Sequence, residues 1–188
     1  MVARIPLLSA ESELSDEQRR VVDAITSRRG GRIPGPYRLS LHCPEFTQLW
    51  HPIGELLRLK SSFSLRLSEL AIITTARAWD CDYIFQAHSA AARQGGIGEP
   101  IIAAIARGER PRIEDAEEAA VYAFCTELLE RHGVSDETYA RATQLFGTPR
   151  VVELTGLIGY YGMVAAMLLA HGMPLPEGVE PPLAKRGR

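Results

Sequence analysis

The spacing of apolar positions is helical almost throughout the chain. Ser15-Asp16-Glu17-Gln18, followed by Val21, Val22 and Ile25, reads as a capped helix that stops at Arg29-Gly30-Gly31. Arg32-Ile33-Pro34-Gly35-Pro36 is a Pro/Gly break, predicting a loop that carries Arg32 and Arg38. Pro44 suits the first turn of the next helix, with Leu49, Leu56, Leu57 and Leu59 on its apolar side. Ser64 opens another, in which Leu67, Leu70, Ala71 and Thr74 run to about Trp79.

After a short break at Asp80-Cys81-Asp82, a helix from about Cys81 to Arg93 ends at Gly95-Gly96, a strong stop signal. Glu99-Pro100 starts a short helix to Arg107-Gly108. Glu114 to Arg131 is longer, with Ala119, Tyr122, Ala123, Leu128 and Leu129 expected mostly inward. Ser135-Asp136-Glu137 caps the next, ending at Phe146-Gly147, and Thr148-Pro149 begins the last, which stops near His171-Gly172. No stretch alternates as a strand does, and no Gly-rich phosphate loop joins a strand to a helix. The expected fold is an all-α, single-domain, two-layer helical bundle over residues 1–173. Residues 174–188, with four prolines, are expected to form an extended tail.

Composition narrows the class. With 46% hydrophobic and 23% charged residues, the 188-residue chain is an ordinary globular protein and not a disordered one. A net charge of -2 supplies no bulk attraction to nucleic acid or an anionic membrane, so neither is an expected partner. Cys43, Cys81 and Cys125 are odd in number and widely spaced, which suits a reducing, cytoplasmic setting better than a secreted disulfide framework. The N-terminal apolar patch is too short for a signal-peptide core. Leu154 to Ala170 is the longest apolar run, and its Gly156, Gly159 and Gly162 fit a buried helix that permits close helix approach better than a membrane span.

Candidate chemistry is concentrated between Ser64 and Gly96. Cys81, Ile84 and His88 stand at i, i+3 and i+7 and share a helix face. Glu69 and Arg77 nearly share a face of the preceding helix. If the two helices pack as a hairpin about Trp79–Asp82, Glu69 approaches His88, and a carboxylate, an imidazole and a thiol surround one space. His88 is the natural proton carrier, and a carboxylate beside it would fix its tautomer. A helix N-terminus favours the Cys81 thiolate, while Asp80 and Asp82 oppose it. The same residues also fit a purely structural role: a satisfied core histidine, a buried thiol, and an Arg77–Glu69 ion pair that holds the hairpin. No two of the five histidines sit at i, i+4 with a carboxylate, and Cys81 with His88 is a poor chelate, so no metal is expected.

The pattern Glu69-x11-Cys81-x2-Ile84-x3-His88 sits within Leu67-x-Glu69-Leu70-Ala71-Ile72, Ala76-Arg77 and His88-x3-Ala92 running to Gly95-Gly96. Together with Arg4-Ile5-Pro6-Leu7, Leu41-His42-Cys43-Pro44, Glu153-Leu154 and Gly159-Tyr160-Tyr161, it resembles the carboxymuconolactone decarboxylase family, within the alkyl hydroperoxidase D-like superfamily. The likeness spans most of residues 1–175. It implies a cofactor-free enzyme acting on a small carboxylated or lactone-like molecule, assembled as a homo-oligomer, a trimer or hexamer. On that resemblance His88 and Glu69 are the acid–base pair, Cys81 lines the site, and Arg32, Arg38 or Arg77 clamps a substrate carboxylate.

The peroxidase branch of the superfamily has a second cysteine where this chain has Ile84, which excludes a dithiol mechanism. Two other readings stay open. One is a thiol-dependent peroxidase that uses Cys81 with an external thiol. The other is a non-catalytic oligomeric binding protein that keeps the fold.

Overall fold

The computed structural model describes residues 2–27 and 31–185. Among these there are eight helices and no strands: α1 (Asp16–Thr26), α2 (Gly35–Ser40), α3 (Pro44–Leu59), α4 (Leu65–Ala78), α5 (Asp82–Gln94), α6 (Glu99–Arg107), α7 (Ala116–Arg131) and α8 (Asp136–Ala170). Local chemistry sets several of the starts. Ser15 and Gln18 form a reciprocal capping box on α1. Ser64, Asp115 and Ser135 accept backbone N–H groups at the heads of α4, α7 and α8. The expected stop of α1 at Arg29-Gly30 lies outside the described residues.

The Pro34-Gly35-Pro36 segment departs from expectation. It is not a continuous loop but the entry to α2, because proline is tolerated in a first helical turn where its missing N–H would have no partner. Arg38 therefore rides on a helix and Arg32 on the loop before it.

At the centre is α4, packed against α5, α7 and α8. Every residue from Leu67 to Ala76 is buried, and so is Arg77. A helix covered on all sides has no polar face to give to water, so Glu69 and Arg77 must find internal partners. The turn into α5 is tight: the Cys81 N–H donates to the Ala76 carbonyl at 2.8 Å, and Asp80 takes a left-handed φ of 50°. Aspartate tolerates that region better than most residues do.

Two amphipathic faces differ from the expected ones. On α3 the buried residues are Thr47, Trp50, His51, Gly54 and Leu57, while Leu49 is 75% exposed and Leu56 and Leu59 also face out. On α7 the inward residues are Glu118, Ala120, Val121, Phe124 and Cys125, one step around from those expected. Both helices carry apolar residues on more than one side, so spacing alone does not select the buried side.

The run α8 is two helices meeting at Gly147, as the Phe146-Gly147 stop and Thr148-Pro149 start imply; Gly147 has φ 75° and ψ 157°. By length and composition α8 could cross a membrane. Its Leu154, Leu157, Ile158, Val164, Ala165 and Leu168 are instead buried within this bundle.

The C-terminal tail folds back on its own chain. The Leu183 N–H donates to Asp82 Oδ1 at 3.0 Å, and the Ala184 N–H to the Ala106 carbonyl at 3.0 Å, with Leu183 buried.

The Gly147 backbone lies in a region open essentially only to glycine. Gly147→Ala is expected to lower stability by about 1–3 kcal/mol in denaturant unfolding, with the α4–α5 hairpin intact; a loss within error would mean the kink relaxes at no cost.

Candidate active site

The α4–α5 hairpin brings Glu69 and His88 together. Glu69 is only 2% exposed, and its Oε2 lies 2.6 Å from His88 Nδ1. The carboxylate accepts the Nδ1–H, which leaves Nε2 as the basic nitrogen of the neutral ring. Tyr161 of α8 sets its hydroxyl 3.3 Å from that Nε2, with the two rings edge-on at 5.1 Å. Arg58 of α3 approaches Glu69 from its other oxygen at 3.9 Å. One imidazole is thus held at one nitrogen, while the other faces a hydroxyl.

His88 and Tyr161 line a cavity of about 460 Å³. Four phenols and an indole stand in its walls: Tyr37, Tyr83, Tyr160, Tyr161 and Trp50. Two glycines make the walls possible, since a Cβ at Gly35 would collide with the Tyr83 hydroxyl and one at Gly54 with the Tyr160 hydroxyl. Arg32, Arg38 and Arg58 add positive charge. Arg38 is anchored by donating to the Leu8 and Leu7 carbonyls at 3.2 and 3.3 Å. The Trp50 indole N–H, buried in this wall, has no hydrogen-bond partner among the described residues. The arrangement therefore offers an imidazole, phenols and cations around one space.

The sequence-derived residues divide. Glu69 and His88 meet, and Arg32 and Arg38 line the cavity. Arg77 does not. It is buried two turns further along α4, outside the cavity lining, where Nη1 donates to the Ala184 carbonyl at 2.8 Å and Nη2 pairs with Asp80 at 3.5 Å. A guanidinium spent on tying the tail to the hairpin turn is not positioned to clamp a ligand in this cavity.

Cys81 is 1% exposed and absent from the cavity lining, which takes Ile84 from the same helix. Burial is the main force on its thiol and pushes it up to about 11; Asp82 adds to the rise, while the N–H groups of Ile84 and Tyr83 oppose it. The expected benefit of the helix N-terminus is thus outweighed by desolvation. Cys125 is also buried and shifted up, and Cys43 is exposed.

Arg58, Tyr37, Trp50 and Tyr161 are additions that local spacing did not single out. Tyr161 stood within the quoted Gly159-Tyr160-Tyr161 segment, the one available signal. Among the described residues no group of three or more His, Cys, Asp or Glu side chains is arranged to hold a metal ion.

Residues 44–127 match the model of the carboxymuconolactone decarboxylase family, a span from α3 into α7 that contains Glu69, Cys81, Ile84 and His88. The fold is that of alkylhydroperoxidase AhpD cores. A peroxidase-related protein of Ralstonia eutropha JMP134 with such a core superposes with TM-score 0.74 at 18% identity, covering 94% of each chain. A peroxidase-related protein of Silicibacter sp. TM1040 gives 0.72 at 17%, over 92% of this chain and 91% of that one. An AhpD-like protein of unknown function from Agrobacterium tumefaciens, ascribed to antioxidant defence, gives 0.66 at 15%, over 75% of this chain and 96% of that one. At these identities the likeness establishes the fold. No curated protein matches the chain.

The burial pattern predicts the thiol chemistry. In the native protein one thiol, Cys43, is expected to react quickly with a disulfide reagent near pH 8, and all three only after denaturation. A second fast thiol, assigned by mass spectrometry to Cys81, would contradict the buried, proton-holding site described above.

Proposed function

We propose, from the family match over residues 44–127 and the chemistry of the cavity, that this chain is a cofactor-free, carboxymuconolactone decarboxylase-like enzyme. Its substrate is a small unsaturated or lactone-like carboxylate. The observation that carries the reading is the 2.6 Å contact between Glu69 and His88 Nδ1, with His88 lining the cavity and its Nε2 beside the Tyr161 hydroxyl.

In this reading the substrate carboxylate pairs with Arg32, Arg38 or Arg58 at the cavity wall. The apolar remainder lies against the tyrosines and Trp50. The bond from the ring to the carboxylate breaks and carbon dioxide leaves. The electron pair moves into the conjugated system, and His88 Nε2 delivers one proton to carbon. Glu69 keeps the ring oriented and balances its charge while it is protonated. A proton from solvent restores the imidazolium, so each turnover consumes one carboxylate and one proton and yields the decarboxylated product and carbon dioxide.

The second reading is a thiol peroxidase, favoured by the peroxidase-related names of the structural neighbours. It would need Cys81 as a thiolate at the cavity. A buried thiol shifted up to about 11, with Ile84 at the cavity instead, argues against it.

The proposal includes a cytoplasmic homo-oligomer, a trimer or hexamer. What supports association is an apolar stripe on α3, formed by Phe46, Leu49, Ile53 and Leu56, all exposed at 3-4-3 spacing. Val152, Gly156 and Gly159 of α8 are also open. A second copy of the same chain would cover this surface.

His88→Ala is expected to reduce carbon dioxide release from carboxymuconolactone by roughly 100- to 10,000-fold, with Cys81→Ser retaining most of the wild-type rate. Full activity in the histidine variant would sink the assignment, and sulfenic acid at Cys81 under modest peroxide would favour the second reading. Leu49→Glu combined with Ile53→Glu should lower the mass measured by light scattering to that of a single chain; an unchanged mass would place the contact elsewhere.

A further inference from the structure

Residues 2–8 form an arm that the proposed reaction does not use, and it ends on a wall of the cavity. Arg4 fastens the arm to the end of α8: its backbone N–H donates to the His171 carbonyl at 2.8 Å and its Nη1 to the Ala170 carbonyl at 2.9 Å. Further on, His42 Nε2 donates to the Pro6 carbonyl at 2.9 Å, and the Leu8 N–H donates to the Arg38 carbonyl at 3.0 Å. Arg38 returns the contact, with Nε donating to the Leu8 carbonyl and Nη2 to that of Leu7. The arm therefore ties α8 to α2, and α2 carries Gly35, Tyr37 and Arg38 into the cavity wall.

The three arginines of the cavity are not alike. Arg58 shares its charge with Glu69 at 3.9 Å. Arg32 is exposed on the loop before α2, with no hydrogen bond among the described residues to fix it. Arg38 is both held and uncompensated: its anchors are neutral carbonyls, and no carboxylate of the described residues forms an ion pair with it. Glu11, exposed and hydrogen-bonded to Ser9, feels its charge only as the least of several influences. A guanidinium has five N–H donors. The Leu7 and Leu8 carbonyls take two, on the edge shared by Nε and Nη2, and three remain, enough to grip a carboxylate through Nη1 and Nη2. The charge is felt in the cavity: burial pushes the Tyr83 phenol up, and Arg38 is the largest influence against that rise. Tyr83 lines the same wall, with its hydroxyl against Gly35. Because the arm has already restricted the Arg38 side chain, a ligand that binds it has less freedom to take away.

We infer that the N-terminal arm is part of the ligand site: it makes Arg38 the residue that holds the substrate carboxylate and selects a carboxylate over its neutral amide. Arg38 touches the ligand, while Arg4 and His42, acting through the arm, are positioning residues. The ligand half of this inference rests on the cavity being a carboxylate site, as proposed above; the tether does not.

The test joins nitrogen-15 NMR of the arginine side chains to calorimetric titration with benzoate and benzamide. The Arg38 Nε–H signal, identified by its loss in Arg38→Lys, should exchange slowly with solvent in the intact protein. Two variants free the arm: deletion of residues 2–8, and Arg4→Ala combined with His42→Ala, which serves if the shortened chain folds poorly. Either should make that exchange fast while helix content stays native. Benzoate should bind more tightly than benzamide. Arg38→Lys keeps the charge but loses the planar grip, and should weaken benzoate by about tenfold and benzamide little. Freeing the arm should weaken benzoate by a similar factor, and Arg38→Lys added to a freed arm should cost little more. An arm that only stabilised the fold would give losses that add in full and fall equally on benzamide. Fast exchange in the intact protein, exchange unchanged in both variants, or fully additive losses overturn the inference. If the exchange behaves as expected but benzoate does not bind, the tether stands and the carboxylate reading of the cavity fails.

Discussion

A carboxylate inside a helix that is buried on every side is the constraint on which this structure turns. Glu69 sits within the fully covered stretch of α4, where an unpaired charge would cost several kcal/mol. His88 and Arg58 are what make that position tenable. The requirement propagates outward. The histidine must return antiparallel to α4, so the α4–α5 turn must be tight, and Asp80 accepts a left-handed backbone to make it so. The histidine's second nitrogen must also be served, and α8 supplies Tyr161 for it.

The same helix separates chemistry from architecture. Near the start of α4, Glu69 holds the cavity histidine. Two turns further along, Arg77 donates to the carbonyls of Ala106 and Ala184 and pins the tail across the hairpin turn. Cys81 falls between the two, at the head of α5 but folded inwards. In a dithiol relative the position of Ile84 would carry the reactive sulfur; here that position supplies an apolar wall to the cavity. The net effect is a cavity of phenols, an indole, an imidazole and guanidinium groups, suited to moving protons and holding anions and poorly suited to sulfur redox chemistry.

Much of this was legible because it is local. Ser64, Ser135 and the Gly95-Gly96 stop are short-range signals, and the interval between Glu69 and His88 follows from helix geometry once a hairpin is assumed. What failed was information held by tertiary packing. The Pro34–Pro36 stretch has the composition of a loop, yet starts α2. On α3 and α7 apolar residues surround more than half the helix, so which side is buried depends on neighbours that periodicity cannot name. Arg58 lies eleven positions before Glu69, and Tyr161 lies 73 after His88. From sequence Arg77 fits a substrate clamp and an ion pair with Glu69 equally; the fold instead gives it the tail carbonyl of Ala184 and Asp80.

Tyr160 and Tyr161 show how one helix builds two parts of the cavity wall. Neighbouring residues on a helix point about 100° apart. Tyr161 turns to His88, and Tyr160 packs beside Trp50 with its hydroxyl against Gly54 of α3, while the two tyrosine rings meet edge-on at 5.4 Å. Two histidines of the bundle stand beside glutamates, in Glu69–His88 and Glu55–His51, and the two pairs are not equivalent. Glu69 makes a short, direct hydrogen bond at 2.6 Å that fixes its ring, whereas Glu55 stands 3.7 Å from its histidine. A histidine held in one orientation at the cavity suits proton delivery to one atom.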